Sequence, residues 1–181
     1  MTPTRNTIAQ ALATDLDRAF PHLVTLYQRE LFSGIRTMVP SHSDAEDTMQ
    51  DVFLKAYQSL TGWGNERRAS LSVRPWLWMI ATNTCRNRAR TKGRRPTEVE
   101  LLIGVQDPTE SQPEPNLELD EWADRLAALT MPARTAVVLR HVVGLRIDEI
   151  AEIVKRPEGT VKADIHRGLK KLRTMLEEVS L

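Results

Sequence analysis

Apolar residues recur along most of the chain at intervals of three and four. Phe20, Leu23, Val24, Tyr27 and Leu31 fall on one stripe of an amphipathic helix, which Pro40 then interrupts. Ser43-Asp44-Ala45-Glu46 reads as a capping box, in which the hydroxyl and the carboxylate each satisfy an amide that has no partner within the helix. From there Ala45, Met49, Val52, Phe53, Ala56 and Leu60 form a core-facing stripe. The opposite face carries Asp47, Gln50, Asp51, Leu54 and Gln58, and its plain reading is a solvated surface. Gly62, Gly64 and Asn65 predict a loop, and Pro75 suits the first turn of another helix with Trp76, Leu77, Ile80, Ala81 and Thr84 facing inward.

The second half is also helical. Leu119, Trp122, Leu126 and Leu129 mark one helix; Thr130 is placed to cap the next, which carries Pro132, Val137, Val138 and His141 and stops at Gly144. Ile147, Ile150, Ala151 and Val154 then make a short helix. A tight turn leads into Gly159-Thr160-Val161-Lys162, and Val161, Ile165, Leu169, Leu172 and Leu176 line one face of the helix that follows. This is the packing pattern of a helix-turn-helix, whose second helix enters the major groove of DNA. Its outward positions, Lys162, Ala163, His166, Arg167, Lys170 and Lys171, are mostly basic.

No stretch alternates at period two, so the expected fold is all-α. It comprises two small helical domains, residues 1–95 and 117–181, joined by a flexible acidic linker over 96–116, the C-terminal domain being the helix-turn-helix. The linker holds Pro96, Pro108, Pro113 and Pro115 among acids and polar residues, and the free chain is expected to sample many domain separations. Charge sharpens the division. The net of +1 hides +6 over residues 1–95, −8 over 96–121 and +3 over 122–181.

The N-terminal block ends in a run of cations, Arg86, Arg88, Arg90, Lys92, Arg94 and Arg95, just after Trp63, Trp76 and Trp78. Basic side chains bind phosphate and aromatic faces stack unpaired bases, a pairing suited to single-stranded nucleic acid. Some of these tryptophans must be core, Trp76 foremost. Other chemistries find little support. His22, His42, His141 and His166 are dispersed, and there are no paired carboxylates, nucleophile motif or metal-ligand spacing, so neither an enzyme nor a cofactor is expected. Cys85 is the only cysteine and reads as a small helical residue. The longest uncharged apolar run, Pro75 to Ala81, is far short of a membrane span, and residues 1–20 carry no secretory pattern. A cytoplasmic protein without membrane insertion is expected.

Three segments in order resemble the extracytoplasmic-function group of bacterial sigma factors, the smallest members of the sigma-70 family. Asp44 to Ala56 resembles the helix that grips the clamp helices of the largest polymerase subunit, which implies polymerase contacts at Asp47, Gln50, Asp51, Leu54 and Gln58. Arg74 to Asn83, continuing into the basic run, is similar to the element that melts the promoter and captures the −10 strand. It implies roles for Trp63, Arg74, Asn83, Arg86, Arg88 and Arg90. Gly144 to Arg173 resembles the −35-reading helix-turn-helix, implying DNA contacts at Arg156, Glu158, Gly159, Thr160, Lys162, Ala163, His166, Arg167 and Lys170.

The implied function is stress-responsive transcription initiation. The implied partners are core RNA polymerase (clamp helices and flap), promoter DNA in duplex and single-stranded form, and an anti-sigma factor. Three positions depart from the family pattern. Arg146 stands where a Ser or Thr cap is usual, Lys155 replaces the turn glycine and so meets a positive φ, and Asp164 replaces a common Arg. Opposite phosphate Asp164 would repel, so it is expected to face away or to alter base preference. The alternative reading is a helix-turn-helix regulator that binds operator DNA alone. It leaves the Asp44–Ala56 face and the basic-aromatic segment without a task. A decoy that sequesters an anti-sigma protein is a third reading, disfavoured by the retained basic residues.

Overall fold

The computed structural model describes residues 2–92 and 117–179, and every regular element among them is a helix. These are α1 (Ile8–Thr14), α2 (Leu16–Arg36), α3 (His42–Thr61), α4 (Asn65–Ala69), α5 (Val73–Lys92), α6 (Leu117–Ala127), α7 (Met131–Val137), α8 (Ile147–Val154) and α9 (Glu158–Val179). A single π-type turn, Val138–Val142, extends α7. The expected linker over 96–116, with Arg94 and Arg95, lies outside the described residues.

In the N-terminal module α2, α3 and α5 pack on one another, while α1 lies against α2 and α4. The stripes read from the sequence supply this core: Leu23, Tyr27, Leu31, Val52, Ala56, Leu60 and Leu77 are all buried. Two local features differ from expectation. The capping hydroxyl of α3 belongs to Ser41, not Ser43; its Oγ accepts from the Asp44 amide at 3.1 Å and lies 2.7 Å from the Asp44 carboxylate. Starting the helix two residues earlier lets His42 and Ser43 complete its first turn. The stretch after Gly62 is not simply a loop, because Asn65–Ala69 closes one helical turn.

In the C-terminal module α9 packs on α6, α7 and α8. Gly144 turns the chain at φ 79°. Lys155 takes the left-handed conformation (φ 54°, ψ 51°) that the missing turn glycine predicted, at roughly 1 kcal/mol for a residue with a Cβ. At Arg146 the lost cap is replaced from the other side. The Glu149 carboxylate accepts from the Arg146 amide at 2.7 Å, and the guanidinium pairs with Asp148. Two stripe positions of α9 depart from expectation. Leu169 and Leu176 are exposed, whereas Gly168 is buried, its missing Cβ letting Val137 approach to within 2.7 Å of where that atom would stand. Trp122, expected in the core, is exposed and its ring lies under Arg125. Ala123 is buried instead, while Leu126 and Leu129 are buried as the stripe requires. The end of α6 is held by cations: Arg134 donates to the Ala127 carbonyl at 2.5 Å and Lys171 to that of Ala128 at 2.6 Å.

One half-buried cluster organises the N-terminal module. Glu30 on α2 accepts from Arg74 Nε at 2.8 Å, from Trp78 Nε1 at 3.0 Å and, on its other oxygen, from Arg5 at 2.8 Å. The Trp78 ring lies over Gly34, one turn along α2, where a Cβ would stand 2.3 Å from the ring edge. Arg74 also donates to the Val143 carbonyl of the second module, and Arg134 returns a bond of 3.3 Å to the Met38 carbonyl. With α5 against α8, the two modules pack together. The connector expected to let the modules sample many separations lies outside the described residues; where the modules meet, these arginines and the α5–α8 contact join them.

Burial alone pushes the Glu30 carboxyl up; the hydrogen bonds from Arg74 and Trp78 and the charge of Arg5 outweigh it and hold the group below its ordinary 4.5. A carboxyl lowered in this way contributes stability above its unfolded value and loses that contribution as pH falls through the folded one. Stability is therefore expected to decline as pH drops below 4.5. Glu30→Gln should cost about 2–3 kcal/mol at neutral pH and flatten that acid limb in chemical denaturation; parallel limbs would place the acid sensitivity elsewhere. Gly34→Ala is expected to cost about 1–3 kcal/mol by overpacking. Gly64→Ala, whose Cβ meets nothing within 4 Å, is the control in thermal melts.

Candidate nucleic-acid interface

The outer face of α3 presents Asp47, Gln50, Asp51, Leu54 and Gln58, with Leu54 56% exposed. Such exposure of a leucine follows from the helix period, since Val52, Phe53 and Ala56 take the core positions on either side. The two acids do not stand alone. Arg88 reaches across from α5 and donates to Asp51 at 2.7 Å, with Asp47 at 3.8 Å, so its guanidinium is held still more firmly charged by the Asp51 hydrogen bond. Sequence reasoning set Arg88 on the strand-binding element and the acids on another surface. The structure makes them one continuous patch, because α5 packs on α3.

Along α5 the basic residues divide. Arg86 and Arg90 are exposed, and Asn83 is exposed with its side-chain oxygen 3.3 Å from Arg86 Nη1. Arg74 is engaged at the Glu30 cluster and Arg88 with the α3 acids. The side chain of Lys92 lies outside the described residues. Of the three tryptophans, Trp76 is buried as expected, but Trp78 is buried too, at 1% exposure. Its indole N–H has its partner in Glu30, so it cannot serve as a stacking platform. Trp63 remains half-buried, stacked obliquely on Trp76 at 5.2 Å, with the Arg67 guanidinium 4.0 Å above its ring. Arg67 was not anticipated; its signal is its place four residues after Trp63 on the short α4, a turn hidden behind two glycines. Cys85, buried on the inner side of α5, has its thiol pushed up to about 12 by burial and is chemically inert at neutral pH.

On α9 the expected DNA-facing side chains Lys162, His166, Arg167 and Lys170 are exposed, as are Glu158 and Gly159 in the first turn, while Thr160 and Ala163 are half-buried. Lys162 lies 3.5 Å from Glu158. Lys171, also placed outward, is occupied with the end of α6. Asp164 turns inward, its side chain 7% exposed, and takes Arg156 on one carboxylate oxygen and Arg167 on the other, each at 2.5 Å. The repulsion from phosphate expected of this acid is thus quenched inside the protein.

The surface therefore offers an acidic and apolar face on α3, an exposed Asn-Arg group on α5 and a basic helix face on α9. Comparisons with known proteins identify the family. The family model for sigma-70 region 2 matches residues 23–95, and that for sigma-70 region 4 matches residues 119–172. The ECF RNA polymerase sigma-E factor of Haemophilus influenzae is 31% identical over 172 residues, covering 88% of each chain. That of Escherichia coli K12 is 34% identical over 164 residues, covering 83% of each. The RNA polymerase sigma-H factor of Pseudomonas aeruginosa is 30% identical over 173 residues, 88% of this chain and 87% of its own. Among solved structures, CnrH in complex with the cytosolic domain of CnrY superposes with a TM-score of 0.69 at 25% identity, over 94% of this chain and 96% of that one. The fold is shared as well by the sigma factor RpoE of Bartonella quintana, solved with the anti-sigma factor NepR (TM-score 0.68, 22% identity, 87% of this chain and 96% of that one). The chain belongs to the extracytoplasmic-function group of sigma-70-type RNA polymerase sigma factors.

Proposed function

We propose that residues 1–95 bind the polymerase clamp helices and capture the −10 strand, and that residues 117–181 read the −35 duplex, with 96–116 as the connector between them. The observation that carries the polymerase contact is Leu54, 56% exposed on a helix whose other side is core, flanked by Asp47, Gln50, Asp51 and Gln58. A leucine among acids suits a partner that is basic and partly apolar, such as a pair of basic helices. Its removal should leave the fold unchanged, since Leu54 contributes nothing to the core. Leu54→Ser is expected to weaken binding to core polymerase by roughly 1–3 kcal/mol, the range for burying one leucine side chain, with an unchanged melting temperature. Wild-type affinity in a binding titration would remove α3 from the interface.

For the −10 element, Asn83 supplies donors and an acceptor for an extruded base, while Arg86 and Arg90 lie beside it for phosphates. Trp63 offers an aromatic edge with Arg67 over one face. Arg74 and Arg88 join only after exchanging their present partners for phosphate. Flipping a base costs a few kcal/mol, so a defect in base capture should shrink when the template is already melted. Asn83→Ala is expected to lower run-off transcription at least about tenfold on duplex DNA and clearly less on a template with an open −10 bubble. Equal losses on both would reassign Asn83 to folding or polymerase binding.

At the −35 element, Arg156, Glu158, Gly159, Thr160, Lys162, Ala163, His166, Arg167 and Lys170 lie on the turn and leading face of α9, the part that reaches base edges in this motif. A flap contact for the C-terminal module is supported by the exposed Trp122, Leu169 and Leu176. CnrH was solved with a protein partner, and an anti-sigma factor is proposed as the inhibitor of this chain. A cytoplasmic location fits a partner of polymerase. Among the described residues no helix is long and apolar enough to cross a membrane.

A further inference from the structure

We propose that Asp164 is a positioning residue for −35 recognition: it anchors Arg156 and Arg167 as one preset pair of guanidinium groups, at the expense of attraction for phosphate. The proposal rests on the reading that α9 faces the −35 duplex.

Asp164 sits on the inward side of α9 in register with Val161 and Gly168, and its side chain is 7% exposed. Burying a carboxylate costs heavily unless charge and hydrogen bonds meet it there. Two arginines do so. Arg156 arrives from the turn before α9 and binds Oδ2; Arg167, one turn further along the helix, binds Oδ1. Their side chains are 38% and 65% exposed, so both reach solvent while tied at one end.

The bonds do not exhaust them. A guanidinium has five N–H donors, and each arginine gives one to Asp164 at the stated distance. The remainder stay available in a plane fixed by the anchored end, and base readout by arginine needs a paired, coplanar fork. Rotamer freedom that a loose surface arginine would lose on binding is already lost in the free protein, which favours the correctly aligned complex.

The acid has a second effect. Arg156, Asp164 and Arg167 together carry one positive charge instead of two, so sequence-independent attraction to the duplex falls. An acid in the recognition helix thus exchanges affinity that any sequence enjoys for affinity that depends on base alignment.

The test uses holoenzyme reconstituted with core polymerase on promoters whose −35 element is randomised, comparing wild type, Arg167→Ala and Asp164→Asn. Arg167→Ala identifies the base pairs that Arg167 reads. At those pairs Asp164→Asn is expected to reduce discrimination by about fivefold or more. Binding of the same holoenzyme to non-cognate duplex should rise, with a salt slope steeper by up to about 0.9. A merely structural role for Asp164 would weaken all sequences alike. A wild-type base profile in Asp164→Asn overturns the positioning role, while an unchanged profile in Arg167→Ala overturns the −35 assignment beneath it. Should Asp164→Asn fail to fold by circular dichroism, Arg156→Gln leaves the buried acid in place and removes one arm. Positioning predicts that Arg156→Gln alters preference at the pairs read by Arg167 and that the two substitutions are non-additive there; strict additivity overturns the proposal.

Discussion

A single half-buried carboxylate, Glu30, ties together parts of the chain that the sequence places far apart. Three donors converge on it, from the N-terminal segment, from the start of α5 and from the Trp78 indole. Isolated, an anion in that partly buried position would be disfavoured; with three donors on its two oxygens it orients α5 against α2 instead. Gly34 completes the arrangement by leaving room for the ring whose N–H the acid holds. The placement of Asn83 and Arg86 depends on this, since the rotation of α5 about its axis decides which residues leave the core. Trp78 goes in, and Asn83, more than a turn later, comes out.

The two modules use arginine differently. In the N-terminal one, Arg88 joins surfaces assigned to polymerase and to DNA, so the α3 face is partly neutralised before any partner arrives. In the C-terminal one, the anchored pair at Asp164 lies on the turn and helix proposed to meet DNA. Both cases depend on geometry between residues not adjacent in sequence, Asp51 with Arg88 and Arg156 with Asp164.

This explains which features were legible in the sequence. Helical periodicity located α2, α3, α5 and the helix-turn-helix, because apolar spacing is a local signal; Lys155 was assigned its left-handed turn from the family resemblance, as the residue in place of the turn glycine. The burial of Trp78, the exposure of Trp122 and the exchange of Leu169 for Gly168 were not legible. Each turns on which of two neighbouring stripes faces a partner helix, and a shift of one residue rotates a helix by about 100°. Glu30 carries no signal in the sequence beyond being an acid beside an apolar stripe. Asp164 could be flagged as out of place among cations, but its two partners became visible only in three dimensions.

Both hydrogen bonds by which arginines join the two modules, from Arg74 to Val143 and from Arg134 to Met38, end on main-chain carbonyls. Every residue type has that acceptor, so replacing Val143 or Met38 does not delete it. Heritable variation can tune these two bonds chiefly through the arginines, while Met38 and Val143, both buried, stay constrained by packing alone. A neutral carbonyl is also a poorer acceptor than an anionic oxygen, to which charge-assisted bonds are about twice as strong. Arg74 holds an anionic oxygen as well, that of Glu30, so its carbonyl bond across the modules is the weaker of its two attachments.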